Sequence, residues 1–409
     1  MADTRSSQGR VEAAVDSVQF YPEWLERFWV RRIGDLFPAE PLDWAVAQME
    51  EPVRRLSDLF TLDRPTTYKD YGDAEATLLA YGLYFFPQTW ARVRFPIKEL
   101  VEVRGWRPPM EGAVRILDLG SGMGAAGFSA AQLLQGMGYS QSARLVSIDH
   151  SGAALGFQHG LSELLSQHEV KLDMRTRRGD FRKRDVLPKP KQHSFDLILL
   201  SFSLNEAFTG CHEKKIAGWL RKLAPLLEDD GILLIVEPAL KITAEKLAAT
   251  QERLLKSGFH SWGPYLHNGS DPMLDDRQFW SHEVRAWSPP PSLARVNREL
   301  WRSIEDLKFS TIALSKKPPP PREPNPLQVR LVSPVARVKG LLKWAGIDNT
   351  GTRRNFEFQT RGYDRSELTA LLRIQRGDLL EFSAAETVGD PPIFRITDPR
   401  DLEWHYAPE

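Results

Sequence analysis

The sequence predicts an α/β fold: a mostly parallel sheet with helices on its faces, an N-terminal helical region before it and a small C-terminal β-rich unit after it. Three observations lead there. From about residue 114 to 315, short apolar runs alternate with amphipathic stretches, the pattern of strands joined by helical crossovers. Before that stretch, aromatic and aliphatic residues recur at helical spacing in "YPEWLERFWVRRIGDLF" and "ATLLAYGLYFFPQTWARVRFPIKELVEV". After it, "KKPPPPREPNP" is a stiff polyproline-type segment, and the chain beyond alternates and turns like a small antiparallel unit.

Taken in order, residues 1–110 are read as helical, with a break and a cap at residues 63–67, "DRPTT". The central domain, residues 111–315, offers strands at "VRILDLG", "ARLVSID", near "KLDMRTRRGD", at "FDLILLSFS" and at "GILLIVEP". A last pair around "FHSWGP" and "KFSTIALSK" closes the sheet and encloses an insertion, about residues 263–308, far longer than a hairpin turn. Residues 316–326 form the linker and residues 327–409 the β-rich basic domain, where "DNTG" is a loop signal. There "DRSELTALLRIQRGD" reads as a short helix opened by an Asp or Ser cap.

Composition excludes several classes. The 54 basic and 54 acidic residues balance, so a nucleic-acid partner has to be met by a local patch and not by the overall field. No apolar run reaches the roughly 18 residues that a membrane span needs. The first residues carry acids and lack an apolar core, unlike a secretory signal or a transit peptide, so a cytoplasmic, bacterial-type setting is expected in preference to a mitochondrial one. A single cysteine, Cys211, excludes an intrachain disulfide and any multi-cysteine thiolate site. The oligomeric state is not legible.

The chemistry concentrates in "RILDLGSGMGAAGFSAAQLL", an apolar strand running through a Gly-rich turn into a small-residue helix. Gly120, Gly122 and Gly124 let the backbone turn tightly and approach a ligand, and the helix N-terminus supplies unpaired N–H groups. Three readings compete. Gly122, Gly124 and Gly127 spell the dinucleotide fingerprint G-x-G-x-x-G of nicotinamide enzymes. Asp118, two residues before Gly120, makes D-x-G-x-G-x-G, the first motif of class I (Rossmann-like) S-adenosylmethionine-dependent methyltransferases. A glycine turn needed only for close packing is the third. The acid and the order of later elements favour the methyl donor. Asp149, ending the second strand, is then placed to accept the ribose hydroxyls, Asp180 and Phe181 stand beside the adenine, and Ser201 ends the fourth strand at the cofactor.

On these residues the chain resembles a particular family, the methyltransferase-like small-ribosomal-subunit assembly proteins of mitochondria and bacteria. The resemblance runs from about residue 81 to 380 through "YGLYFFPQTWARV", "LDLGSGMG", "SFSLNE", "VEPAL", "GPYLHNGSDPMLDDRQFWSH" and "RVKGLLKWAGIDNTG". It implies action on the small ribosomal subunit, with ribosomal RNA as the expected partner. The family's insertion reads like P-C-P-H-x-G-x-C-P and then W-C-H, with a fourth cysteine further on, together holding an iron–sulfur cluster. Here those positions carry Tyr265, Asp271, Ser281 and Ala345, while His267, Gly269, Pro272, Trp280 and His282 remain. Such clusters need thiolates, so no iron–sulfur cluster is expected. His267, Asp271 and His282 are chemically adequate zinc ligands, but hydrogen bonding that pins the insertion's turns is the preferred role, and no metal is expected. Packing by Trp262, Tyr265, Trp280 and Trp287 takes over the stapling.

No catalytic residue is assignable. "LLSFSLNEAF" lacks the Asn/Asp-Pro-Pro-aromatic element of base-amine methylation, and Cys211 has no activating neighbour in "TGCHEK". Ser201, Asn205 and Glu206 are the polar candidates. Two basic clusters suit RNA: "RTRRGDFRKRD" with six arginines and lysines, and residues 327–376, with ten against four acids and with Trp344, Phe356, Phe358 and Tyr363 among them. The expected function is that of an S-adenosylmethionine-dependent methyltransferase acting on ribosomal RNA during assembly or translation. The rival is a non-catalytic assembly factor that retains the cofactor fold.

Overall fold

The computed structural model describes residues 21–61, 74–190, 194–274, 276, 279–301 and 304–406. The break expected at residues 63–67 lies outside them.

Among the described residues, helices come first: α1 (Glu23–Leu36), α2 (Leu42–Ala47), α3 (Glu50–Thr61) and α4 (Glu75–Glu102). In α1 the buried residues are Leu25, Trp29 and Ile33, spaced by four, so one stripe faces inward. Trp29 donates its indole N–H to the Tyr21 hydroxyl at 2.9 Å. Its ring lies where a Cβ on Gly82 of α4 would stand, with the nearest ring atom 2.4 Å from that point, so Gly82 is the hole for this knob. Helix α4 is apolar on nearly every side and is buried almost throughout, a core helix covering one face of the sheet.

The sheet contains β1 (Ala113–Leu119), β2 (Ser142–Asp149), β3 (Leu172–Arg178), β4 (Phe195–Ser201), β5 (Leu227–Pro238), β6 (His260–Gly263), β7 (Glu283–Ala286) and β8 (Asp306–Ser315). Their order is β3-β2-β1-β4-β5-β8-β6, and β7 also pairs with β8. The neighbours from β3 to β5 run parallel, whereas β8 is antiparallel to both β5 and β6. This is the class I methyltransferase topology that the sequence predicts. Strand β4 is buried on both faces, as its apolar "LILL" run requires, whereas β3, at the edge, is half-solvated. Helices α5 (Ala125–Gly136) and α6 (Gly152–Gln167) make the first crossovers, and α7 (Leu204–Ala207), α8 (Glu213–Leu220) and α9 (Lys241–Leu255) follow β4 and β5. The insertion is not all turns. It returns to the sheet as β7 and adds α10 (Pro291–Glu299). Strands β6 and β7 share β8: β6 pairs with residues 313–315 and β7 with residues 306–309.

The C-terminal sheet comprises β9 (Gln328–Leu331), β10 (Ala336–Val338), β11 (Leu341–Asp348), β12 (Arg353–Gln359), β13 (Leu379–Phe382), β14 (Glu386–Val388), β15 (Ile393–Ile396) and β16 (Leu402–Tyr406), with α11 (Thr369–Arg373). Two details depart from the sequence reading. Strands β12 and β15 pair in parallel, which alternation along a strand cannot reveal because it carries no direction. Helix α11 also starts later than Asp364, because that carboxylate accepts the backbone N–H groups of Ser366 and Glu367 in a turn of its own.

The two sheets are interlocked by buried charge. Arg285 on β7 bonds Glu283, Asp378 (2.5 Å) and the carbonyl of Gly377, and Arg330 on β9 bonds Glu99 of α4 and the same carbonyl. Gly377, at φ +97°, brings that carbonyl to both guanidinium groups, and a Cβ there would stand 2.9 Å from Glu283. Among the described residues no helix is long and apolar enough to cross a membrane.

Candidate cofactor site

In an open α/β sheet, a ligand crevice lies beyond the carboxyl ends of the strands where the order reverses. Here that is the end of β1, with β2 on one side and β4 on the other. The loop leaving β1 is tied down by its own backbone: the N–H groups of Gly120 and Ser121 donate to the Ile148 carbonyl, and that of Gly124 to Ser121. Gly120, Gly122 and Gly124 have φ of +72°, +52° and +89°, a region where side chains are strained. Their surroundings differ. A Cβ on Gly120 would stand 2.4 Å from the Ser203 Cβ and 3.1 Å from the Phe181 ring, and one on Gly124 would meet the Phe128 ring. A Cβ on Gly122 would have nothing within 4 Å, so this residue turns its bare side to open space.

Asp118 is buried. One carboxylate oxygen accepts the Gly127 N–H at 3.0 Å, and the other has no protein partner. Burial pushes its pKa up to about 7, the Gly127 bond pulls it down and the Asp149 charge adds to the rise. Asp149 is also buried: it accepts the N–H of Gly122 and that of Ser151, each at 2.8 Å. The residue expected at the ribose therefore holds the loop itself. Gln158 of α6 adds a second clamp, donating to the Ser121 hydroxyl and the Gly122 carbonyl. Sequence reading missed it, because a lone glutamine on a helix carries no signal.

On the other side, Asp180 receives both a ring of bonds from Arg182, at 2.8 and 2.9 Å, and the Arg182 backbone N–H at 3.0 Å. These bonds hold its pKa below the usual carboxylate range. Phe181 is buried against Trp219, with ring centroids 5.4 Å apart, and against Gly120. The Ser201 hydroxyl is buried without a partner. Beyond it, Phe202 has φ +58°, an unusual value for an aromatic residue, and the Arg92 guanidinium of α4 lies 5.1 Å from its ring centre. Ser203 donates to the Leu119 carbonyl at 2.7 Å. Glu237, in "VEPAL", accepts the N–H groups of Leu204 and Asn205 and so fixes the turn that carries Asn205 and Glu206. Backbone strain and buried polar atoms thus gather at the carboxyl ends of β1 to β4, where the expected residues Asp118, Gly120, Gly122, Gly124, Asp149, Asp180, Phe181 and Ser201 stand. The methyl-donor cofactor fits there: Gly122 leaves room, and Asp118 and Ser201 offer unused buried polar atoms.

The insertion behaves differently. Tyr265 and Ser281 share a hydrogen bond of 2.5 Å between their hydroxyls. Both also bond the buried Asp271, whose pKa burial raises, and Ala345 packs in one apolar cluster with Tyr265. The four positions where the family resemblance puts cysteines thus gather at one place and hold a phenol, a carboxyl group, a hydroxyl and a methyl group. An iron–sulfur cluster does not fit these donors. Cys211 is elsewhere, packed against the core around Phe208 and Trp219. His267 accepts the Gly269 N–H at 3.0 Å and stacks on Tyr265, while His282 faces the Arg376 guanidinium at 2.8 Å. A guanidinium against an imidazole is a poor neighbour for a metal ion. Among the described residues no group of three or more His, Cys, Asp or Glu side chains is arranged to hold one. Trp262, Trp280 and Trp287 each donate the indole N–H to a backbone carbonyl: Trp280 ties the insertion to Ala239 after β5, Trp287 closes the insertion on its own Ile304, and Trp262 of β6 bonds Lys317.

No curated protein matches the chain. Among solved structures, the precorrin-6y C5,15-methyltransferase of Geobacter metallireducens is 12% identical with TM-score 0.31, over 54% of this chain and 87% of its own. TrmN of Thermus thermophilus is 17% identical with TM-score 0.31, over 57% and 52%. Loganic acid methyltransferase with SAH is 11% identical with TM-score 0.36, over 62% and 99%. Likenesses this distant bear on neither substrate nor cofactor here. A family described as mitochondrial small ribosomal subunit Rsm22 matches residues 75–353, more than half of the chain. The description names mitochondria and so leans away from the cytoplasmic, bacterial-type setting expected from the sequence. The chain belongs to the Rsm22 family, as a methyltransferase-fold protein linked to the small ribosomal subunit.

Proposed function

We propose that the chain binds S-adenosylmethionine at the end of β1 and methylates ribosomal RNA of the small subunit during assembly or translation. The observation that carries this is the open side of Gly122 at the point where the strand order reverses. When bound, the cofactor supplies an electrophilic methyl group on a sulfonium. The chain's own part is positioning, which provides much of the acceleration in such a transfer. Asp118 orders the loop through Gly127, Asp149 holds it through Gly122, Phe181 backs Gly120, and Ser201 offers a free hydroxyl at the cofactor's edge. Glu237 holds the Asn205–Glu206 turn toward the substrate side. The nicotinamide reading rests on shared glycine spacing alone, whereas the antiparallel β8 between β5 and β6 belongs to methyltransferases.

A second reading, a non-catalytic assembly factor that keeps the fold, is favoured by one observation. Asp149 and Asp180 already satisfy protein groups, so less of their carboxylate is left for a ribose or an adenine. Gly122→Arg, which fills the open side, should abolish heat release on titration with S-adenosylmethionine or its demethylated product while the circular dichroism spectrum stays that of the parent. NAD binding in place of both would sink the proposal. Nucleoside mass spectrometry of small-subunit RNA from cells carrying Gly122→Arg then separates the readings: loss of one methylated nucleoside supports the enzyme, and an unchanged profile with defective subunits supports the assembly factor.

A further inference from the structure

Of the ten basic residues between 327 and 376, the structure uses five for itself. Arg330 and Arg376 are buried. Lys343 pairs with Glu357, Arg353 with Asp276 and Arg354 with Asp348. Arg337, Lys339, Arg361, Arg365 and Arg373 are exposed, and among the described residues none of them is ion-paired. Composition overstates the available charge, but the remainder is not scattered. Arg337, Lys339 and Arg365 line one groove of about 340 Å³, whose apolar wall includes Leu341, Leu372 and the ring of Tyr363. A site of this size is in the range, about 300–1,000 Å³, that accepts a small molecule or one nucleotide unit.

Both walls are held in place. Val338 pairs with Leu341, so Lys339 and Gly340 form a two-residue hairpin turn with φ of +32° and +79°, both positive as such a turn demands. The Thr360 N–H donates to the Gly340 carbonyl at 2.8 Å, tying the turn to the end of β12. Opposite, the Tyr363 hydroxyl donates to the Thr397 carbonyl at 2.9 Å, and its ring leans on Phe358 at 5.2 Å, leaving it half-buried. Asp364 and Glu367 lie beside Arg365 in the chain and keep their charge, but among the described residues neither forms an ion pair with Arg337, Lys339 or Arg365. Asp364 accepts the Ser366 hydroxyl and the N–H groups of Ser366 and Glu367, and Glu367 accepts the Asp364 N–H. Three free cations around an apolar slot with a fixed aromatic ring match a chain of phosphates carrying flat bases.

We propose that the groove between the β10–β11 turn and residues 360–372 binds single-stranded RNA, with phosphates on Arg337, Lys339 and Arg365 and a base against Tyr363. The choice of RNA among polyanions rests on the small-subunit reading.

Fluorescence anisotropy of the full chain with a labelled single-stranded RNA of about 12 nucleotides, over a range of salt concentrations, tests it. The triple variant Arg337→Glu/Lys339→Glu/Arg365→Glu should weaken binding at least tenfold. The salt slope should fall by about 2, since a single-strand phosphate contact contributes about 0.7. Tyr363→Leu should weaken binding about tenfold at unchanged slope, and Tyr363→Phe, which keeps the ring, should bind like the parent. Melting curves confirm that each variant folds. The exposed control Lys214→Glu/Lys215→Glu/Lys222→Glu makes the same charge change elsewhere and should bind as the parent does. Parent-like binding by the groove variant, an equal loss in the control, or equal affinity for duplex RNA or an acidic peptide would overturn the proposal. Calorimetry with S-adenosylmethionine on the same proteins keeps the cofactor reading separate: loss of RNA binding with heat unchanged supports the groove, and a parent that binds RNA through the groove without taking the cofactor counts against the cofactor reading alone.

Discussion

His282 and His267 lie among positive charges in partial burial, and each has its pKa pushed down to about 4, first by loss of water and then by Arg376 and Arg104 respectively. A histidine titrates near 6.5 in the unfolded chain, so the native state binds fewer protons below that pH. The stability these neutral rings permit is therefore complete above about pH 6.5 and is lost as pH falls toward 4. Asp118 works in the opposite direction. Raised to about 7, it favours the native state below about pH 4, and that contribution disappears as pH rises through 7. Because the two tendencies overlap, the contribution of one ring is best read by difference. His282→Gln should lose less stability than the parent between pH 7 and pH 5, by up to about 2 kcal/mol, as measured by urea unfolding at both values. An equal loss in both proteins would mean that the imidazole titrates freely.

At the scale of the element, the insertion is held by hydrogen bonds and packing. Tyr265, Asp271 and Ser281 satisfy one another where the family resemblance places three thiolates, and Ala345 closes the site from β11. Removing the Ser281 hydroxyl leaves Tyr265 and Asp271 short of a partner in a buried place. Ser281→Ala should therefore cost about 1–3 kcal/mol, and chemical denaturation checks it. Protein purified without air should show no iron–sulfur absorbance and no stoichiometric iron, and a bound cluster would show that thiolates are not required at these four positions. Helix α4 was legible from its helical spacing and strand β4 from its short apolar run, whereas β7 and α10 were not. "EVRA" is too short and too charged to announce a strand, and it becomes one because β8 extends beyond β6 and offers an open edge. The start of α11 was misread for a local reason: Asp364 spends its carboxylate on a turn before the helix begins.

At the scale of the whole molecule, the proline-rich segment joins two sheets that are also held by a buried charge network. Glu99 comes from the N-terminal helices, Glu283 and Arg285 from the insertion, and Arg330 and Asp378 from the C-terminal sheet. Breaking a buried ion pair by removing one partner costs about 3–5 kcal/mol, because the other charge stays out of water. Arg285→Met should lower stability by that amount, and a chain ending at residue 315 should unfold more easily than the full chain, since Glu99 loses Arg330 while Arg285 keeps Glu283 but loses Asp378 and the Gly377 carbonyl. A truncated chain as stable as the parent would show that the network contributes nothing. The sequence by itself determined the strands of the central sheet other than β7, their order along the chain and the glycine loop, because these depend on local periodicity and on backbone freedom that only glycine has. It also determined that the insertion carries no cysteine. Only the tertiary structure decided which carboxylates are already engaged, which five of ten cations remain free, and that Tyr265, Asp271, Ser281 and Ala345 meet. Those outcomes depend on distances between residues far apart in the chain, and no local pattern encodes them.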